Sequence, residues 1–427
     1  MTEQYYQKLD EKLYSATLSN GLRVMIVPKP GFSRKSAYFV TDFGAIHTKF
    51  RLEDREHTMP AGVAHYLEHK LFDLPGRDVS AEFAAYGAAV NAFTSYDLTA
   101  YYFSCTENFD PCLRLLLEFV STPYFTAESV EKERGIIDQE IAMNMDDPNT
   151  RVFENLMEAM YGVHPIRVPI LGTEASIRQI TPEVLYTCHR AFYTPENMLL
   201  CVMGDVDPEA VCAAAEEILG TERKNAAVKA PLPQEDLLCP EKRRCDRMDI
   251  PMPSFYLGFK CLPVPQGEEG IRQEVIGDLA AEVLFGEASE LYLKLYEEGL
   301  IDSSFGGGFE VLDGCSILTC GGDSDDAEKV RDAIIAQARA IAKAGVAESD
   351  FLRLKRSAMG RRIRDLDSFS STCFRLCAYA CDGFDYFNFP QIYKTVTVDQ
   401  IQTFLDQFVT EENCAISIIH PIKEDNL

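Results

Sequence analysis

Two of the chain's seven histidines stand four apart in TMPAGVAHYLEHKLFD, which runs from Thr58 to Asp73. Residues four apart on a helix lie one turn above each other, so His65 and His69 can offer two imidazoles to one ion. Glu68, three after His65 and adjacent to His69, would project beside that ion without having to bind it. Imidazole ligands, an open position for water and a carboxylate to take the water's proton are the parts of a catalytic zinc site. The order HxxEH inverts the more familiar HExxH of zinc hydrolases. A chance pair on a solvated helix would give the same letters. Here, however, Val63, Leu67, Leu71 and Phe72 give the helix an apolar face, and imidazoles beside such a face need hydrogen-bond or metal partners.

Such a site needs a third protein ligand. SVEKERGIIDQEIAMNMDDP, Ser129 to Pro148, is a strongly helical stretch. Glu133 and Glu140 are two turns apart on it and share a face, with Ile136 and Ile137 between them where a helix would turn inward. Alone this is a charged, solvated helix. Beside a two-His helix that lacks a ligand, it is the candidate source of one.

The elements that must position these groups are written twice. ITPEVLYTCHRAFYTPENMLLCVMGDV from Ile180 aligns without a gap on VTVDQIQTFLDQFVTEENCAISIIHPI from Val396. Thr181 falls on Thr397, Phe192 on Phe408, Thr194 on Thr410, Glu196 on Glu412 and Asn197 on Asn413. Each copy reads as a Thr-capped helix, a Thr-Glu-Asn turn and an apolar strand. AHYLEHKLF from Ala64 is echoed by GDLAAEVLF from Gly277, so His65, Glu68 and His69 fall on Asp278, Ala281 and Glu282. No second zinc site is expected. Strand-like segments (RVMIVP, TAYYFSC, MLLCVMG; FYLGFKC, SILTCGG, CAISIIH) alternate with long amphipathic helices in both halves. The expected fold class is α+β: two homologous domains, each a mostly antiparallel sheet with helices packed on one face. The polar, Pro-bearing TERKNAAVKAPLPQEDLLCPEKRR divides them. The expected layout is a catalytic domain 1–220, a linker 221–244 and a degenerate domain 245–427.

A chain of 427 residues is long enough for two cores. Its net charge of −26 excludes nucleic acid as a partner and could draw basic or flexible peptides. MTEQYYQKLDEKLYSATL lacks the layout of a secretion signal, and no apolar run is long enough to span a bilayer, so a cytoplasmic protein without membrane contact is expected. The fourteen cysteines include no CxxC and lie mostly in apolar segments; Cys373, Cys377 and Cys381 line one helical face as core. The triple glycine Gly306 to Gly308 lacks the Lys and the helix start of a phosphate loop.

With HYLEH, the glutamate that ends ERGIIDQE, GAAVNAFTSYDLTAYYF and YTPENMLLCVMGDVD, the chain resembles the pitrilysin/insulinase family of zinc peptidases. The short bacterial relatives of mitochondrial processing peptidase belong to that group. The likeness runs along the whole chain, strong in motif in the first half and architectural in the second. It implies His65, His69 and Glu140 as ligands of one zinc ion per chain, and Glu68 as general base on a zinc-bound water. It further implies Glu133 as a carboxylate orienting a ligand histidine, and Asn91, Ala92 and Phe93 as an edge strand to which a peptide substrate adds as a further strand. The implied activity is zinc-dependent endopeptidase action on peptides or unstructured segments. The alternative is a catalytically silent scaffold or peptide-binding subunit of a processing-peptidase-like complex, or a zinc-stabilised binding module. The family commonly draws an Arg and a Tyr from the degenerate half to hold the substrate carbonyl. SSFGGGFEVLDGCSILTCGGDSDDAEKV, Ser303 to Val330, has neither, and Ser316 stands about where the Arg is expected. A dimer with a homologous subunit lacking HxxEH is therefore expected.

Overall fold

In the computed structural model, which describes residues 1–422, the strands fall into two principal sheets. The first holds β1 (Thr2–Tyr6), β2 (Glu11–Thr17), β3 (Arg23–Pro28), β4 (Lys35–Thr41), β5 (Ala89–Thr94), β6 (Thr99–Cys105) and β7 (Met198–Gly204), in the order β1-β2-β3-β7-β4-β6-β5. Every pair is antiparallel except β3 with β7. The second holds β8 (Arg243–Met248), β9 (Ser254–Cys261), β10 (Gly306–Leu312), β11 (Cys315–Asp323) and β12 (Cys414–Pro421), in the order β8-β12-β9-β11-β10. Here too one pair, β8 with β12, is parallel. The sequence β3-β7-β4-β6-β5 thus recurs strand for strand, and the triple glycine lies in the edge strand β10.

The duplicated Thr-Glu-Asn turn explains how each copy closes. The Asn197 amide donates to the carbonyls of Phe192 at 3.0 Å and Asp42 at 3.3 Å, tying the end of a helix to the end of β4. The Asn413 amide makes the matching pair of bonds to Phe408 and Lys260. Backbone bonds repeat the match: Asp42 N–H donates to Asn197 O, and Lys260 N–H to Asn413 O. One asparagine therefore satisfies the last carbonyl of a helix and one at the end of the strand beside it. Asp42 and Lys260 are equivalent positions carrying opposite charges. Each finds its counterion in the connecting segment, Lys229 for Asp42 at 2.6 Å and Glu235 for Lys260 at 3.3 Å.

Two compact units result. Among the described residues, one comprises 1–141, 169–231 and 363–388; the other comprises 142–168, 232–362 and 389–422. Each unit contains one helix from the other half of the chain. Helix Phe369–Cys381 packs on β7 and β4, with the Tyr38 hydroxyl bonded to Ser370. Helix Pro148–Met160 packs on β12 and β9, where Gly258 admits Met160; a Cβ there would lie 2.5 Å from its sulfur. This accounts for the unbroken apolar runs MLLCVMG and FYLGF, since a strand covered on both faces has no solvent side. The α+β class with mostly antiparallel sheets is as expected. Helices on one face are only part of the arrangement, because a distant helix covers the other. Cys373 and Cys377 are fully buried under β7 in the first unit. Residues 221–244 are laced down: Val228–Lys229 pairs with Lys49–Leu52, and Glu235 accepts from the amides of Gly162, Val163 and His164.

Candidate metal centre

The HYLEH segment forms helix α1 (Val63–Leu71), which packs on β5 and on helix Pro182–Phe192. Gly62 starts it at φ +87°, and a Cβ there would sit 2.4 Å from the Leu171 carbonyl oxygen, so the tight entry requires glycine. Every residue of α1 except His69 is buried, so burial extends around the helix beyond the expected apolar face and takes in His65, Glu68 and Lys70. Lys70 is only 1% exposed, yet its ammonium meets Asp73 at 2.7 Å and lies 3.9 Å from Glu133. The buried Tyr66 hydroxyl donates to the Val130 carbonyl, tethering α1 to helix α2 (Ala127–Met145). Ile137 of α2 is buried in the core and Ile136 is exposed. That inward turn presents Glu133 and Glu140 to α1.

Nε2 of His65 lies 3.6 Å from one Glu140 oxygen, and Nε2 of His69 lies 3.6 Å from the other. The two rings stand 4.5 Å apart, and one ligand atom from each of the three residues falls within 4.8 Å of the others. Among the described residues this is the one such cluster. Glu133 does not join it. Its carboxylate faces the other nitrogen of His69, Nδ1, at 3.1 Å. Two imidazoles and a carboxylate are the donor set of a three-ligand catalytic zinc site. Ligand atoms held by one tetrahedral zinc lie about 3.3 Å apart, close to the 3.6 Å spacing found here. A carboxylate can only accept here, so the contact suits a proton on Nδ1 of His69, the tautomer that would leave the Nε2 lone pair toward the cluster. Nδ1 of His65 is buried and finds no hydrogen-bond partner among the described residues. The residues fit the metal.

The protein's own charges set the local electrostatics. Burial pushes the Glu68 carboxyl above its usual range, against the Thr94 hydroxyl, which donates to it at 2.6 Å, and against the two imidazoles. Burial works against a charge on His69, but Glu133, Glu68 and Glu140 outweigh it and raise that imidazole. Glu140 is held low, mainly by His65. Thr94 was not singled out by sequence; it lies two residues beyond Ala92 and so faces α1 with it, a strand periodicity that could have flagged it.

Asn91, Ala92 and Phe93 lie in β5, the edge of the first sheet, paired on one side with Tyr102, Tyr101 and Ala100 of β6. Phe93 packs edge-on against Tyr102 and Phe374. Ser316, by contrast, is buried in β11 with its hydroxyl donated to the Leu262 carbonyl at 2.7 Å. In the second repeat the positions matching the histidines are ion pairs. Asp278 lies 3.3 Å from Arg362, and Glu282 pairs with Arg361. Both arginines come from helix Glu348–Arg364, so charge pairs stand where the first repeat gathers metal-ligand types.

Comparison with known proteins adds to this geometry. The family model described as insulinase (peptidase family M16) matches residues 54–174, and that of the M16 inactive domain matches residues 179–358. An uncharacterized zinc protease of Bacillus subtilis, YmfH, is 35% identical over 97% of this chain and 98% of its own length. A solved chain from Alicyclobacillus acidocaldarius described as M16-like is 32% identical. It covers 96% of this chain and 99% of that one, with a TM-score of 0.92. A protease from Helicobacter pylori shares the fold, with a TM-score of 0.83 at 20% identity over 96% and 100% of the two chains. The chain belongs to the M16, or insulinase, peptidase family.

Proposed function

We propose that this M16 family member is a zinc-dependent endopeptidase that hydrolyses peptides or unstructured segments. The first repeat is its catalytic half and the second a degenerate one. The observation that carries the reading is the convergence of His65 Nε2, His69 Nε2 and the Glu140 carboxylate beside the buried Glu68. Zinc bound there would supply Lewis acidity, acidifying water and polarising the scissile carbonyl. Glu68, oriented by Thr94, takes the proton of the attacking water and returns it to the leaving amine. Glu133 holds the His69 ring in its ligating tautomer. The open edge of β5 at Asn91, Ala92 and Phe93 pairs with an extended peptide, which selects flexible segments over folded ones.

We also propose that the chain acts as a dimer with a homologous subunit that lacks HxxEH. Ser303 to Val330 offers no Arg or Tyr, and the Ser316 hydroxyl is committed to Leu262, so a partner is the source of the missing oxyanion donors. The fourteen unpaired cysteines, mostly buried, suit a cytoplasmic location. Among the described residues no helix is long and apolar enough to cross a membrane.

Metal analysis of the wild-type chain and of Glu140→Ala tests the reading. One zinc per wild-type chain, and a loss of at least tenfold in occupancy for a Glu140→Ala chain that still folds, is the expected result. Equal zinc in both would sink it.

A further inference from the structure

The second unit contains a cavity of about 360 Å³ whose walls include Cys261, Leu262, Ile276, Phe309, Phe404 and Phe408. Its origin is visible in the duplication. Lys260 and Asp42 are equivalent through their matching bonds to Asn413 and Asn197, so Cys261 stands where the first repeat has Phe43. Phe408 stands where the first repeat has Phe192. In the first unit that volume is full. Phe43 stacks on Phe192 with centroids 4.2 Å apart, and Phe50 packs edge-on against the same ring at 4.8 Å. Phe50 arrives on the hairpin Lys49–Leu52 and Arg55–Thr58, part of residues 44–62 that separate Phe43 from α1. In the second unit residues 262–267 alone separate Cys261 from helix Glu268–Phe285. The hairpin is missing, and Phe43 has shrunk to cysteine. Leu262 at the edge is left 49% exposed.

A phenyl-lined cavity of this size is within the range of ligand sites and large enough for one aromatic ring. The first repeat shows what fits: an aromatic side chain delivered edge-on by an extended segment. We propose that this cavity is a docking site for an aromatic side chain carried on an extended polypeptide segment of a binding partner, occupying the place that Phe50 holds in the first repeat. The site is independent of the metal centre and of the peptidase reading.

The test uses a peptide of residues 46–58 with Phe50→Trp. Because the chain has no tryptophan, the fluorescence reports only the peptide. The receptor is the full chain carrying Glu68→Gln, so that the probe survives. Expected is a saturable blue shift with half-saturation below about 1 mM. The same peptide with alanine at position 50 should not compete. Binding should weaken at least tenfold in Cys261→Phe, which refills the cavity, and in Thr403→Arg, which places a charge at its mouth. The exposed position of Thr403 keeps that second variant informative should Cys261→Phe fold poorly. The proposal is overturned by the absence of a saturable shift, by competition from the alanine peptide, or by undiminished binding to Thr403→Arg. Binding of free indole without binding of the peptide would also overturn it, marking a small-molecule pocket instead.

Discussion

His69 Nδ1 and Glu133 Oε1 lie 3.1 Å apart, while His69 Nε2 faces Glu140, so one imidazole is held between two carboxylates of the same helix, two turns apart. The division of labour follows from which nitrogen each carboxylate meets. Glu133 can fix the tautomer, and Glu140 can share the ion. Glu133→Ala should therefore lower zinc affinity about 10- to 100-fold without abolishing folding. Titration against a calibrated chelator measures this, and Glu133→Asp should recover less than Glu133→Gln if hydrogen-bond reach to Nδ1 is what matters.

Thr94 donates to Glu68 at 2.6 Å from the strand that abuts α1. Removing that donor in Thr94→Val frees the carboxylate to rotate and should reduce kcat about tenfold while leaving zinc content unchanged. Thr94→Ser should restore most of the rate. A matching loss of zinc in Thr94→Val would instead mark Thr94 as part of the scaffold of α1.

Glu235 offers a test of the second unit away from the metal. Burial alone would raise its carboxyl, but the amides of Gly162, Val163 and His164, together with the nearly buried Lys260, pull it down to about 2. A depressed carboxyl stabilises the fold fully above its ordinary value near 4.5, and that contribution disappears as the pH falls through about 2. Glu235→Gln leaves the Lys260 ammonium without its counterion and should cost about 2–4 kcal/mol at pH 7. In urea titrations the gap between wild type and variant should be full at pH 7 and narrow steadily below pH 4.

Much of this was legible from local sequence. The HxxEH spacing needs only one helical turn to carry meaning, and α1 supplies it. The duplication was legible because Asn197 and Asn413 each bridge a helix-end carbonyl and a strand-end carbonyl, a role few other residues can fill. Glu133 and Glu140 share a face through simple periodicity, but which of them meets which nitrogen depends on how α2 is pinned by Tyr66 and Val130. Long-range packing stayed hidden. Nothing in PNTRVFENLMEAM says that it will cover the sheet of the other repeat, because its apolar face would suit either; the choice lies in the space above Gly258. The cavity beside Cys261 was hidden for the same reason, as it exists only by comparison with the ring of Phe43.

The central claim is that Glu68 moves protons at a zinc site built by His65, His69 and Glu140. It is tested most directly by measuring zinc content and cleavage of an unstructured peptide in the same preparations of wild type and Glu68→Gln, assayed with whatever subunit co-purifies. The account predicts one zinc per chain in both and a loss in cleavage rate of at least about a thousandfold in Glu68→Gln. Cleavage by Glu68→Gln at the wild-type rate, with its zinc in place, would contradict it.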